Sequence, residues 1–199
     1  MKKFTVVLSF LLALSLILNG VLLIDRDKAR RWTEKEAAAG AAPVIQVLAQ
    51  MDALSKALDS KQPLPQSFFY WNVLALESAA AACCVIPIEL GQTADQGLYY
   101  GDPASAEHLN GVFRILRESL VELNTADGEE YTMRREKTRY AFDLLRDIYD
   151  QTAVECGLTT IGVSDYSTFF RAMLPRLKVN LAPGGKLYAV MENLALLGT

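Results

Sequence analysis

At 199 residues, 51% apolar and 22% charged, the chain is too hydrophobic for intrinsic disorder. Setting aside the first 31 residues as a targeting segment leaves 168, enough for one domain with a single core. The net charge of −3 hides an asymmetry: six of the 20 Lys and Arg lie in residues 1–31, whereas from Trp32 onward 14 basic residues face 21 acidic ones. Such an acidic remainder is repelled by phosphate backbones, which argues against nucleic acid as a partner.

Phe4 to Ile24 runs 21 residues without a charge, after Lys2 and Lys3 and before Asp25-Arg-Asp-Lys-Ala-Arg-Arg-Trp32. A helix of that length covers roughly 30 Å, the hydrocarbon thickness of a bilayer. The rival is a cleaved signal peptide, but no Ala-x-Ala site closes the run and no Cys near its end suggests lipid modification. Residues 1–31 are therefore expected to be a retained single-pass anchor, meeting the bilayer through residues 4–24. Residues 32–199 are expected to form a helical domain. The short positive tail before the run resembles the start of an export signal and places that domain on the extracytoplasmic side, although the four basic residues after the run argue for the opposite orientation.

Thr33 and Glu36 have capping-box spacing, and Gly40 with Pro43 predicts a break or kink in the Ala-rich stretch that follows. Val44, Val47, Leu48, Met51, Leu54 and Leu58 then recur at helical steps as one apolar stripe. Lys61 to Pro65 reads as a loop. From Ser67 to Ile86 the chain is almost continuously apolar apart from Asn72 and Glu77, which predicts a helix buried on most sides. A second membrane span is the alternative there, disfavoured by the cost of a central Glu and an Asn in lipid.

Pro87 ends that helix, and a long connection runs to Gly101. Asp102-Pro103 reads as an N-cap with proline at the first helical position, followed by Leu109, Val112, Phe113, Leu116, Leu120 and Leu123 at helical spacing. After a turn at Asn124-Thr-Ala, Asp127 with Glu130 predicts a capped helix. Its inward face is Ala141, Leu144, Leu145, Ile148 and Thr152, with Arg139, Asp143, Arg146, Asp147 and Asp150 outward and Gly157 as the stop. Leu158 to Val163 could be a short extended piece. Ser164 is expected to cap a helix carrying Tyr166, Phe169, Phe170, Met173 and Leu177 on one face, and Leu187, Val190, Met191 and Leu194 mark a last helix beyond Pro183-Gly-Gly185. With no sustained strand alternation, the expected class is all-α: a transmembrane helix followed by a five- or six-helix bundle-like domain.

The candidate chemistry is sparse. Cys83, Cys84 and Cys156 contain no Cys-x-x-Cys pair, so no zinc or iron–sulfur framework exists; buried thiols are expected, with a disulfide from Cys156 to one of the others as the alternative. His108 is the single histidine and lies beside no nucleophile motif, which makes it a surface residue rather than a base. Glu77, the one acid in a long apolar helix, could be a carboxylate of raised pKa; the structural reading is a solvated residue or one paired with an arginine of a neighbouring helix. Arg134, Arg135, Lys137 and Arg139, interleaved with acids, read as a solvated face with pairs such as Glu130–Arg134. The Gln92 to Gly101 loop lacks calcium-loop spacing, and Pro183-Gly-Gly-Lys186 lacks the full phosphate-loop pattern.

No catalytic, cofactor-binding or metal-binding residue is assigned from these features. The leading expectation is a membrane-anchored interaction, sensor or scaffold domain with a protein partner or a second copy of itself. One alternative is an enzyme with a site assembled from dispersed residues, for which Glu77, His108 and Tyr70 are the weak candidates. Another is a small-molecule-binding helical domain released by signal cleavage, with Tyr70, Trp71, Phe169 and Phe170 lining an apolar pocket.

Overall fold

The computed structural model describes residues 19, 20, 22–26, 40–60, 62–83, 103–162 and 165–196, the side chains of 103–108 and 167 excepted. All regular structure among them is helical. From residue 40 onward the described residues form six helices: α1 over 40–59, α2 Gln66–Cys83, α3 Pro103–Leu123, α4 Gly128–Glu155, α5 Tyr166–Leu181 and α6 Lys186–Leu196.

The segment expected to anchor the chain lies largely outside the described residues; of it, 19, 20 and 22–24 are helical, with Leu22, Leu23 and Ile24 exposed. Among the described residues no helix is long and apolar enough to cross a membrane. That statement covers α2, so the second-span alternative for Ser67 to Ile86 is dropped for its described part. Asp102, Ser164 and the 84–102 connection, with Cys84, also lie outside the described residues.

α3 is the axis of the fold and touches α2, α4, α5 and α6. Its stripe Leu109, Val112, Phe113, Leu116, Leu120 and Leu123 is buried throughout, because residues three and four apart share one helix face. α1 lies antiparallel along α4 and buries Val44, Val47, Leu48, Met51, Leu54 and Leu58, the stripe read from sequence. Phe142, Leu145, Phe169, Phe170, Met173, Leu187 and Met191 complete one continuous core reaching from Ala41 to Leu194.

Helix ends follow local chemistry. At the end of α4 the Gly157 amide donates to the Val154 carbonyl and the Leu158 amide to that of Ala153, the bonds of a Schellman turn, with Gly157 at φ 67°. Asp127 occupies the N-cap of α4, but its carboxylate makes no capping hydrogen bond. The N-cap of α5 is Asp165 rather than Ser164, and its Oδ2 accepts from the Gly162 amide at 3.0 Å. Between α5 and α6 the chain turns so tightly that a Cβ on Gly185 would collide with the Asn180 carbonyl.

Two expectations about charge are overturned. The expected Glu130–Arg134 pair forms, at 3.3 Å, but not on a solvated face: Arg134 is 1% exposed, the largest fully buried side chain among the described residues, and also ion-pairs with Glu122 of α3. The neighbouring Ser119 and Thr138 hydroxyls share a buried hydrogen bond of 2.6 Å. Arg135 turns toward α1, where its guanidinium donates to the Leu58 carbonyl at 2.7 Å and to that of Ser60. These are carbonyls that the last turn of a helix leaves without intrahelical partners. Nor do Arg139, Asp143 and Arg146 point freely outward: all three are half-buried, because α1 lies over that face of α4.

Candidate functional site

The described surface includes three concave features. The first is polar, about 410 Å³, between α1 and α4, lined by Asp52, Arg146, Asp147, Tyr149 and Asp150 with Leu48 and Ala49. Most of its charges, Asp150 excepted, are paired. Lys56 donates to Asp52 at 2.6 Å, and Arg146 meets Asp52 at 3.1 Å, Asp147 at 3.2 Å and Asp143 at 3.5 Å. Ser55 donates to Asp143 at 2.7 Å, and Arg139 stands 3.5 Å from both Asp143 and Asp59.

The Lys56 hydrogen bond, with Arg146 adding to it against partial desolvation, holds the Asp52 carboxyl below its ordinary value. Arg146 is held above its own by Asp147 and then Asp52, and burial followed by the Asp150 charge pushes Tyr149 up. A carboxylate held as Asp52 is stays ionised and poorly basic, so the cleft works as a clasp between two helices. Among the described residues no group of three or more His, Cys, Asp or Glu is arranged to hold a metal ion.

The second feature is an apolar groove of about 440 Å³ between α3 and α6, lined by Gly111, Val112, Ile115, Leu181, Tyr188, Met191, Glu192 and Ala195.

The third and largest, about 700 Å³, runs between α2 and the C-terminal part of α3. Among the described residues α2 packs against α3 through the side carrying Phe69, Leu76, Ala79, Ala80 and Cys83. Its other side is left open. Tyr70 and Trp71 are 65% and 63% exposed, with rings edge to face at 5.0 Å, and Leu74 at 48% stands one turn on. Val121, 46% exposed, comes up from α3 to form the opposite wall. Gln66, Ser67, Asn124 and Thr125 give one end of the groove amide and hydroxyl groups; Glu77 marks the other.

The polar residues inside α2 are accounted for without a reaction. Asn72 donates to the Phe68 carbonyl of its own helix at 2.7 Å, and Glu77 is exposed with its carboxylate 3.8 Å from the Arg117 guanidinium of α3. Around the groove, solvent-facing aromatic and aliphatic surface is bounded by neutral donors and acceptors at one end and by the Glu77 carboxylate at the other, and no activated nucleophile lies among its lining residues. The arrangement can bury an apolar side chain and hydrogen-bond a main chain.

The structure rearranges the sequence candidates. Tyr70 and Trp71 do flank an apolar hollow, but Phe169 and Phe170 are fully buried core residues packed against each other and Tyr149, so the expected four-aromatic pocket does not form. Their spacing on α5 made them core, and no path leads from them to solvent. His108 lies on α3 with its side chain outside the described residues. Cys83 is a buried thiol; Cys156 is a half-buried one with its sulfur 3.9 Å from the Thr168 carbonyl. Val121, Asn124 and Thr125, the α3 side of the groove, carried no sequence signal, because their role depends on which way α3 faces α2.

Compared with family models, curated proteins and solved structures, the chain matches none.

Proposed function

We propose that the protein is a membrane-anchored helical docking domain that engages a partner protein through the α2–α3 groove. The observation that carries this reading is the exposed Tyr70–Trp71–Leu74 face of α2, opposed by Val121. Monomers rarely leave contiguous apolar surface of this kind uncovered, and Trp and Tyr contribute most to binding energy where proteins meet.

The anchor rests on the uncharged run from Phe4 to Ile24 between basic flanks, and the exposure of Leu22, Leu23 and Ile24 on helical backbone is in keeping with a segment whose cover is lipid. Residues 32–199 form the docking domain, held outside the cytoplasm. A scaffold role suits the inventory better than catalysis: the three acidic residues lining the polar cleft are aspartates bound into its ion pairs or beside them, and the groove itself offers contacts rather than chemistry.

Site-directed photo-crosslinking tests the reading. A photoreactive residue at position 71 or 121 of the full-length chain, illuminated in intact membranes, should give a discrete adduct with another protein. The same probe at the exposed Val154, on the far part of α4, should not. Adducts to lipid alone, or equal adducts at all three positions, would remove the docking reading.

A further inference from the structure

The groove's surroundings carry a second property, its charge. Between Glu118 and Glu130 the chain holds five acids and no base: Glu118, Glu122, Asp127, Glu129 and Glu130. Glu122 and Glu130 are committed to the buried Arg134. Glu118, Asp127 and Glu129 are exposed and form no ion pair among the described residues. Glu118 lies at the end of α3, Asp127 at the N-cap of α4 and Glu129 in its first turn, flanking in sequence the Val121, Asn124 and Thr125 that line the groove. Arg117 of α3 faces Glu77 at 3.8 Å.

We infer that the groove takes a segment of a partner protein that combines aliphatic side chains with lysine or arginine. The inference rests on the docking reading above and adds the chemistry of the partner. Aliphatic groups would fill the hollow between Trp71, Leu74 and Val121, while ammonium or guanidinium groups would face the acidic turn or the open ring faces of Tyr70 and Trp71. From Gln66 to Glu77 the α2 wall is roughly 16 Å long, room for about five extended residues or three helical turns.

Other occupants fit less well. An anionic bilayer surface would be repelled by Glu77 in the groove and by the acids that flank Val121, Asn124 and Thr125 along the chain. A second copy would bring acidic turn against acidic turn if it docked through the same face. The net charge of −7 from Trp32 onward adds long-range attraction for a cationic partner only.

The test uses the full-length chain in phosphocholine nanodiscs, with empty nanodiscs subtracted. Two fluorescein-labelled nonapeptides serve as probes, three repeats of Gly-Lys-Leu and three of Gly-Glu-Leu, and binding is read by anisotropy. The basic peptide should bind about tenfold or more tightly than the acidic one, and weaken as salt is raised. Trp71→Ala should reduce its affinity about tenfold while Trp71→Phe recovers most of it, helix content unchanged in both. Glu118→Gln with Asp127→Asn and Glu129→Gln should erase the preference between the peptides.

Equal affinities, no binding of either peptide, or indifference to Trp71→Ala would overturn the inference. Quenching by brominated-chain lipid that differs between the chain and its Trp71→Phe variant would place this face in the bilayer and overturn it too. If the peptides fail while the adduct from position 71 to a protein persists, docking stands and only the charge rule falls.

Discussion

The buried Arg134 makes an asymmetric prediction about stability. Its guanidinium is 1% exposed, whereas the side chains of its partners Glu122 and Glu130 are 38% and 57% exposed. Replacing both acids in Glu122→Gln/Glu130→Gln leaves a positive charge in the α3–α4 interface without these two countercharges. Removing one side of a buried pair costs about 3–5 kcal/mol, a large part of the stability of a typical domain. Replacing the arginine instead, in Arg134→Met, leaves two carboxylates that water can reach and fills the space with an apolar chain of similar reach. That change should cost about 1 kcal/mol or less, since a buried ion pair is often no better than a hydrophobic replacement. Urea unfolding of the full-length chain in a non-ionic detergent, followed by circular dichroism at 222 nm, measures both. Equal losses in the two variants would refute the reasoning, as would a double-glutamine variant within about 1 kcal/mol of the parent.

Further outcomes are expected elsewhere in the fold. Arg135→Met removes charged donors from the carbonyls closing α1 and should cost about 2 kcal/mol in the same assay, with Arg135→Lys intermediate because an ammonium cannot reproduce the fork. Asp52 titrates below its ordinary value in the folded chain, so its stabilising contribution is present above about pH 4 and is lost as pH falls through the folded value. Asp52→Asn should therefore flatten the acid limb of a stability-against-pH curve below about pH 4, and identical acid limbs would contradict the clasp. Expressed in a bacterium, the full-length chain should stay with membranes through a carbonate wash and keep its N-terminus. A soluble product beginning after Gly20 would remove the anchor.

Much of the helical scaffold was legible because core periodicity is a local property. The stripes from Val44 to Leu58, Leu109 to Leu123 and Leu187 to Leu194 are the buried faces of α1, α3 and α6, and Gly157 ends α4 as its conformational freedom allows. What could not be read locally was which helix covers which face. Arg139, Asp143 and Arg146 have an outward pattern on α4 and become half-buried only because α1 packs across them. Arg134 looked solvated for the same reason: an i,i+4 pair with Glu130 is equally good on a surface, and the burial comes from α3. The groove was half legible. Tyr70, Trp71 and Leu74 share a face of α2 by spacing alone, whereas Val121 joins them only once α2 and α3 run antiparallel, with Asn110 reaching the Ala80 carbonyl at the other end of the pair.

Hydroxyl-radical footprinting of the α2 face tests the docking claim most directly. Oxidation of Tyr70 and Trp71 would be compared between the purified full-length chain in nanodiscs and the same chain in its native membranes, with the exposed Tyr140 on α4 as the reference. Both aromatics should oxidise readily in the purified protein and be protected several-fold in native membranes while Tyr140 is unchanged. Equal oxidation of Tyr70 and Trp71 in the two settings would mean that nothing covers this face where the protein works, and the groove would no longer stand as its docking site.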